Sequence, residues 1–216
     1  MKIAIIGAGN LGKSIAKGLI TTNAITTLYL TRRHADGMKE FEGYKNIFLT
    51  SDNTEAVKNS DILIFAVQPA HLEKILIHIK PLLHDNHVLI STITGFSISK
   101  MENIIGEDKF VIRAMPNTAI SVGKSMTCLC SNEKGKGRIK IAEAIFNRLG
   151  TSIEIPEEKM QAATVICASG IAFWMRLIRA TTQGAIQLGF EAKEAQELAM
   201  HTCYGAASLL IQSGNH

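Results

Sequence analysis

Apolar residues in this chain fall into short runs separated by polar punctuation. Lys2 to Ile6 is an apolar run that predicts a strand. A glycine turn follows, then a helix from about Asn10 to Thr21. Thr27 to Thr31 predicts a second strand, so strand, helix and strand fit in a unit of roughly 30 residues. Glu55 to Asn59 reads as helical. Asp61 to Val67, "DILIFAV", is a continuous apolar strand, as expected where helices cover both faces of a parallel sheet. Pro69 ends it. Leu72 to Ile79 places apolar residues at 72, 75, 76 and 79, which is one helical face. Further strands are expected at His87 to Thr94, Lys109 to Met115, Ser125 to Ser131 and Thr151 to Ile155. A helix around Lys136 to Leu149 separates the last two. The alternation predicts a doubly wound α/β fold.

The pattern changes at Pro156. Proline suits a helix start, and Glu157 and Glu158 suit the positive end of a helix dipole. From there to Leu210 no strand pattern recurs. The stretch 162–190 is apolar on most faces, but Arg176 and Arg179 interrupt it and argue against a membrane span. A helix apolar nearly all round must be buried, and a small domain offers little to bury it against except a second chain. Residues 156–216 are therefore expected to form an all-helical dimerisation domain, with a second helix from about Ala192 to Ser213 and a turn at Gly189.

Gly7, Gly9 and Gly12 form G-x-G-x-x-G between the first strand and the first helix. The first glycine permits the tight turn, the second lets a pyrophosphate approach the backbone, and the third lets the helix pack on the strand. The helix N-terminus then offers N–H groups and a partial positive charge. Residues 1–155 thus read as a Rossmann-like dinucleotide-binding domain. An acidic ribose ligand is expected about 20 residues beyond the glycines. That position holds Arg32, with Arg33 after it, in "LTRRH". A carboxylate there accepts from a ribose 2′-hydroxyl and repels a 2′-phosphate; an arginine does the reverse. NADP(H) is therefore expected over NAD(H), through Arg32, with strand alternation turning Arg33 the other way. Polar residues at later strand ends (Asn53, Gln68 with Pro69, Thr92, Thr94, and Asn117 after Pro116) offer the neutral donors and acceptors that a nicotinamide needs.

These stretches resemble the pyrroline-5-carboxylate reductase family over nearly the whole chain. "IGAGNLG" looks like its "GxGNM" turn, "SDNTEAV" its "DNxEAV", "FAVQP" its "LAVKP" and "STITGFSI" its "SxAAGISI". "RAMPNTAISVGKSMT" is close to "RxMPNTPxxVGxGxT", the most specific of these. "LGFEAKEAQELAMHTCYGAASLLIQSG" is similar to the family's late helix. The resemblance implies NADPH-dependent reduction of a cyclic imine to proline and a homodimer interlocked by helices, in some cases assembled further. Carried over by position, Gly7, Gly9, Asn10, Leu11 and Gly12 would hold the pyrophosphate and Arg32 the 2′-phosphate. Asn53 and the turn Ala66, Val67, Gln68 and Pro69 would contact the cofactor, and Pro116 and Asn117 would lie near the nicotinamide.

The chain also departs from the pattern. Gln68 stands where the family usually has lysine. "CASGIAF" replaces "SGSGPAY", keeping Ser169, Gly170 and Ala172. Ser169 and Gly170, at the start of the first long helix, are the substrate-site candidates. The sequence stops at "SGNH", where the family continues with a substrate-binding loop, so it reads as C-terminally truncated. Two alternatives remain: an NADP-binding sensor or scaffold without catalysis, and a β-hydroxyacid-type dehydrogenase. The latter wants a catalytic lysine on the first long helix, and none lies between Gln161 and Gln187.

With 46% apolar and 19% charged residues, the 216-residue chain is globular rather than disordered. A net charge of +4, with no dense basic block, does not suggest nucleic acid. No signal-peptide pattern opens the sequence, and a cytoplasmic protein is expected. Cys128, Cys130, Cys167 and Cys203 read as small buried side chains, the histidines mostly as surface or loop residues, and no metal site is expected.

Overall fold

The computed structural model describes residues 1–21 and 25–214. The chain divides into two compact units, Met1–Ala168 and Ser169–His216. In the first, β1 (Lys2–Ile6), β2 (Thr27–Thr31), β3 (Ile47–Thr50), β4 (Ile62–Phe65), β5 (Val88–Ser91), β6 (Phe110–Met115), β7 (Ser125–Ser131) and β8 (Gly150–Glu154) form one eight-stranded sheet. Its spatial order is β3-β2-β1-β4-β5-β6-β7-β8. Every pairing is parallel except β6 with β7, where Met115 faces Cys128 in an antiparallel register.

Strand periodicity sends alternate side chains to opposite faces. Ile3 and Ile5 enter one buried cluster with Ile15, Leu19, Leu30 and Phe146. Ala4 and Ile6 enter the other with Leu63, Phe65, Leu72 and Met101. Helices α1 (Asn10–Ile20) and α5 (Ile139–Phe146) supply the first cluster. Helices α2 (Asn53–Lys58), α3 (Pro69–Ile79) and α4 (Ile98–Ile105) supply the second. Local chemistry sets the helix starts. The Asp52 carboxylate accepts from Thr54 N at 2.7 Å, Ser97 caps α4, and Pro69 occupies the first turn of α3.

Two elements lie outside the sequence-based expectation. Strand β3 is a short edge strand with little alternation; Phe48 stacks on Tyr29 with ring centroids 4.9 Å apart. Helix α4 has a clear cap in Ser97 but only eight residues of amphipathic pattern. The strand expected over 61–67 pairs over Ile62–Phe65, which leaves Ala66–Gln68 as a turn. His87 is fully buried rather than on the surface. His84 N donates to its Nδ1 at 3.0 Å, and its Nε2 lies 2.9 Å from Ser60 O. Cys128 and Cys130 are buried, but Cys167 and Cys203 are only partly covered.

Residues from Glu157 to Gln187 run helically: a short 3-10 turn, α6 (Met160–Ala163), a π-helical turn Thr164–Ser169, and α7 (Gly170–Gln187). By length and composition this run is apolar enough to cross a membrane, contrary to the weight placed on Arg176 and Arg179. In the second unit α7 packs on α8 (Ala192–Ser213), which opens with a capping box between Glu191 and Glu194. Large apolar side chains stay exposed on both helices: Trp174 is 61% exposed and Ile211 83%.

Candidate cofactor site

The carboxyl ends of β1, β2 and β4 open into a cleft of about 670 Å³. This is where the strand order reverses direction from β1, the general ligand position in open α/β sheets. One wall is the turn Gly7–Ala8–Gly9. Gly7 has φ +102°, and a Cβ there would lie 2.8 Å from Ala66 O, so glycine is required. A Cβ on Gly12 would collide with Gly7 O. Gly9 is different: a Cβ there would meet nothing within 4 Å. Its small size therefore serves the open cleft rather than the fold. The N-terminus of α1 beyond it has no side-chain cap and no acidic residue in its first turn. Its N–H groups are left for an external acceptor.

The second wall is cationic. Arg32, Arg33 and His34 leave the end of β2, and His71 and Lys74 reach in from α3. Both arginines line the cleft, because β2 ends at Thr31 and strand alternation no longer applies. The Arg32 guanidinium donates to Gly37 O at 3.1 Å. A Cβ on Gly37 would collide with that guanidinium, so this glycine makes its room. The 3-10 segment Ala35–Phe41 is tied to α1 by Glu40, which pairs with Lys13 at 3.0 Å and with Lys17. Hydrogen bonds from Lys17 and then Lys13 hold the Glu40 carboxyl below its ordinary range.

The floor combines Asn53 with the turn Ala66, Val67 and Gln68, and Ile75 adds an apolar surface. Thr31 joins floor to glycine turn. Its carbonyl accepts from Gly7 N at 3.1 Å and Ala8 N at 2.7 Å, and its hydroxyl donates to Asn53 Oδ1 at 2.7 Å. Sequence reading missed Thr31, His71 and Lys74. Starting α3 at Pro69 would have placed His71 and Lys74 on its early turns, beside the strand ends.

The expected residues thus part company. Gly7, Gly9, Arg32, Arg33, Asn53, Ala66, Val67 and Gln68 line one cleft; Asn10, Leu11 and Gly12 carry its glycine turn on into α1, Pro69 opens α3 beside it, and Pro116 and Asn117 follow β6. Gly12 and Pro69 shape the helices that border the cleft. Asn117 is engaged elsewhere in the same unit. Its Oδ1 accepts from Ala119 N at 3.0 Å and its Nδ2 donates to Cys167 O at 3.0 Å, clamping the π-helical turn. Thr92 likewise donates to Phe65 O at 2.8 Å. Ser169 closes the π-helical turn and Gly170 opens α7, so both lie within a longer helical run rather than at its beginning. Among the described residues no cluster of three or more His, Cys, Asp or Glu side chains could hold a metal.

Residues 2–95 match the family model described as "NADP oxidoreductase coenzyme F420-dependent", and residues 157–216 match "Pyrroline-5-carboxylate reductase dimerisation". Pyrroline-5-carboxylate reductase 2 of Dictyostelium discoideum is 35% identical, over 99% of this chain and 77% of its own length. This chain belongs to the pyrroline-5-carboxylate reductase family. Reductase 1 of the same organism is 38% identical over 99% of this chain, which spans 41% of that protein's length. Among solved pyrroline-5-carboxylate reductases, the Plasmodium falciparum protein with NADP bound matches with a TM-score of 0.88. It is 27% identical, and the match covers 100% of this chain and 80% of that one. The family is one of oxidoreductases, and the first unit has their nicotinamide-dinucleotide-binding fold.

Proposed function

We propose that this chain reduces 1-pyrroline-5-carboxylate to L-proline with NADPH, in the cytoplasm, as a homodimer. The observation that carries this reading is the cleft itself, with an uncapped helix N-terminus on one side and Arg32, Arg33 and Lys74 on the other. Its volume lies in the usual range for a small-molecule or cofactor site. Its donors suit two separate anions, a pyrophosphate against Gly7–Gly9 and α1, and a 2′-phosphate against the arginines. Asn53 and the turn at residues 66–68 take the ribose between them, and Val67 and Ile75 offer apolar surface to a flat ring.

When bound, NADPH supplies the hydride that reduces the C=N carbon. The protein's task is to hold the reacting groups in register and keep the imine nitrogen protonated. No strong general base is needed. Residues 1–155 are proposed as the cofactor domain and 156–216 as the dimerisation domain, with Ser169 and Gly170 on the substrate side. A second chain would cover the apolar side chains of α7 and α8, including a 350 Å³ hollow whose lining includes Trp174, Leu177, Leu198 and Cys203. The free cysteines fit a reducing compartment.

The test is oxidation of NADPH on adding pyrroline-5-carboxylate, with NADH run beside it. Turnover favouring NADPH, and loss of that preference in Arg32→Ala, is the expected result. A charge-assisted phosphate contact is worth about 2 kcal/mol, or roughly thirtyfold in affinity. Turnover with NADH alone would overturn the Arg32 assignment, and no imine reduction by the dimer would overturn the reaction.

A further inference from the structure

We infer that Thr31 is a positioning residue: its hydroxyl fixes the Asn53 side-chain amide so that the NH2 end is the one offered to the dinucleotide. The inference rests on the cofactor reading of the cleft and adds to it which end of the amide does the binding.

The argument is one of hydrogen-bond valence. Thr31 is 2% exposed, and its hydroxyl has a single proton to give. On one side it lies 3.3 Å from Gly7 N, which is a donor, so there it can only accept. Its own proton still needs an acceptor in a residue this buried, and among the described residues the Asn53 amide, 2.7 Å away, is the neighbour that can supply one. This settles the orientation of the Asn53 amide by partners rather than by atom labels. The oxygen is engaged by Thr31. The NH2 group, on a residue that lines the cleft, has no protein partner among the described residues. Asn53 thus presents donors, suited to an acceptor oxygen of the ligand such as a ribose hydroxyl or a phosphate. A freely rotating amide would present oxygen as readily as nitrogen, and an oxygen facing a phosphate repels it.

The same geometry separates this role from a structural one. The glycine turn does not depend on the hydroxyl, because Gly7 N and Ala8 N both donate to the Thr31 carbonyl. Replacing the hydroxyl by a methyl group keeps that anchor and removes the control over Asn53.

The experiment is calorimetric titration of NADPH into the wild type, Thr31→Ser, Thr31→Val, Asn53→Ala and the Thr31→Val/Asn53→Ala double variant. Thr31→Val is expected to weaken binding about tenfold, and Thr31→Ser to restore it. Thr31→Val is expected to add nothing in the Asn53→Ala background, since its effect runs through that side chain. Asn53→Asp gives a second line that does not require Thr31→Val to fold. It still accepts from Thr31 but turns an acceptor toward the ligand, and it should bind NADPH at least tenfold more weakly. Wild-type affinity in Thr31→Val or in Asn53→Asp, or additive losses in the double variant, would overturn the inference alone. A wild type that binds neither NADPH nor NADH would overturn the cofactor reading and the inference together.

Discussion

The two units of this chain solve the burial problem in opposite ways. The first closes its sheet between two apolar layers and hides nearly every large aliphatic side chain of β1, β2, β4 and β5 within itself. The second has two long helices that touch along one face, where Ala195 and Ala199 are buried, and leave Phe173, Trp174, Leu209 and Ile211 in the open. The first unit buries its apolar side chains within itself, and the second leaves a large apolar surface in the open. Cofactor binding should therefore follow the integrity of the first unit, and assembly should follow the apolar surface of the second.

The largest test of that contrast is Trp174→Glu. An unpaired carboxylate held in an apolar interface costs on the order of 4 kcal/mol, about a thousandfold in association. Sedimentation should show a monomer, while titration should show unchanged NADPH affinity. Loss of both together would deny that the units work separately.

Next come the two glycines of one turn. Gly7→Ala places a side chain at φ +102° against Ala66 and Val67. Left-handed strain and overpacking together cost about 3 kcal/mol. Thermal unfolding should fall by about 10 °C. Gly9→Ala meets open space; its melting temperature should hold while NADPH affinity drops about tenfold, for want of room at the pyrophosphate.

Lys74→Ala sharpens the cationic wall. It should weaken NADPH binding about fivefold at low salt, with the difference shrinking as salt screens it.

The smallest effect is a pH dependence within the first unit. Burial, and then the neighbouring His84, push the His87 pKa below its ordinary value. The unfolded chain then binds the proton more readily than the folded one, so stability is full above about pH 6.5 and falls as the pH drops below it. The slope from this one group cannot exceed one proton, about 1.4 kcal/mol per pH unit. His87→Asn should flatten that part of a melting-temperature profile.

Much of the fold is legible in the sequence, because β1, β2, β7 and α8 carry their own boundaries in period and punctuation. The four-residue edge strand β3 and the eight-residue α4 were too short to show a period of their own. The candidate site divides along the same line. Glycines announce a turn, and arginines where a carboxylate belongs announce a phosphate. His71 and Lys74 needed the true start of α3, and Thr31 needed a hydrogen-bond network that no spacing encodes. Asn117 shows the converse: a polar residue at a strand end whose donors and acceptors the fold itself largely uses.

The single antiparallel pairing, β6 with β7, also bears on the order in which the chain can assemble. Residues 116–124 join these two strands directly, whereas each parallel neighbour must first close a longer loop. Closing a loop costs more entropy as it lengthens, and sheets rich in such distant pairings are slow to form. The β6–β7 hairpin is therefore the cheapest pairing in the sheet to nucleate. Early amide protection in a refolding experiment should begin at Ile112–Met115 and Cys128–Ser131, far in sequence from the glycine turn.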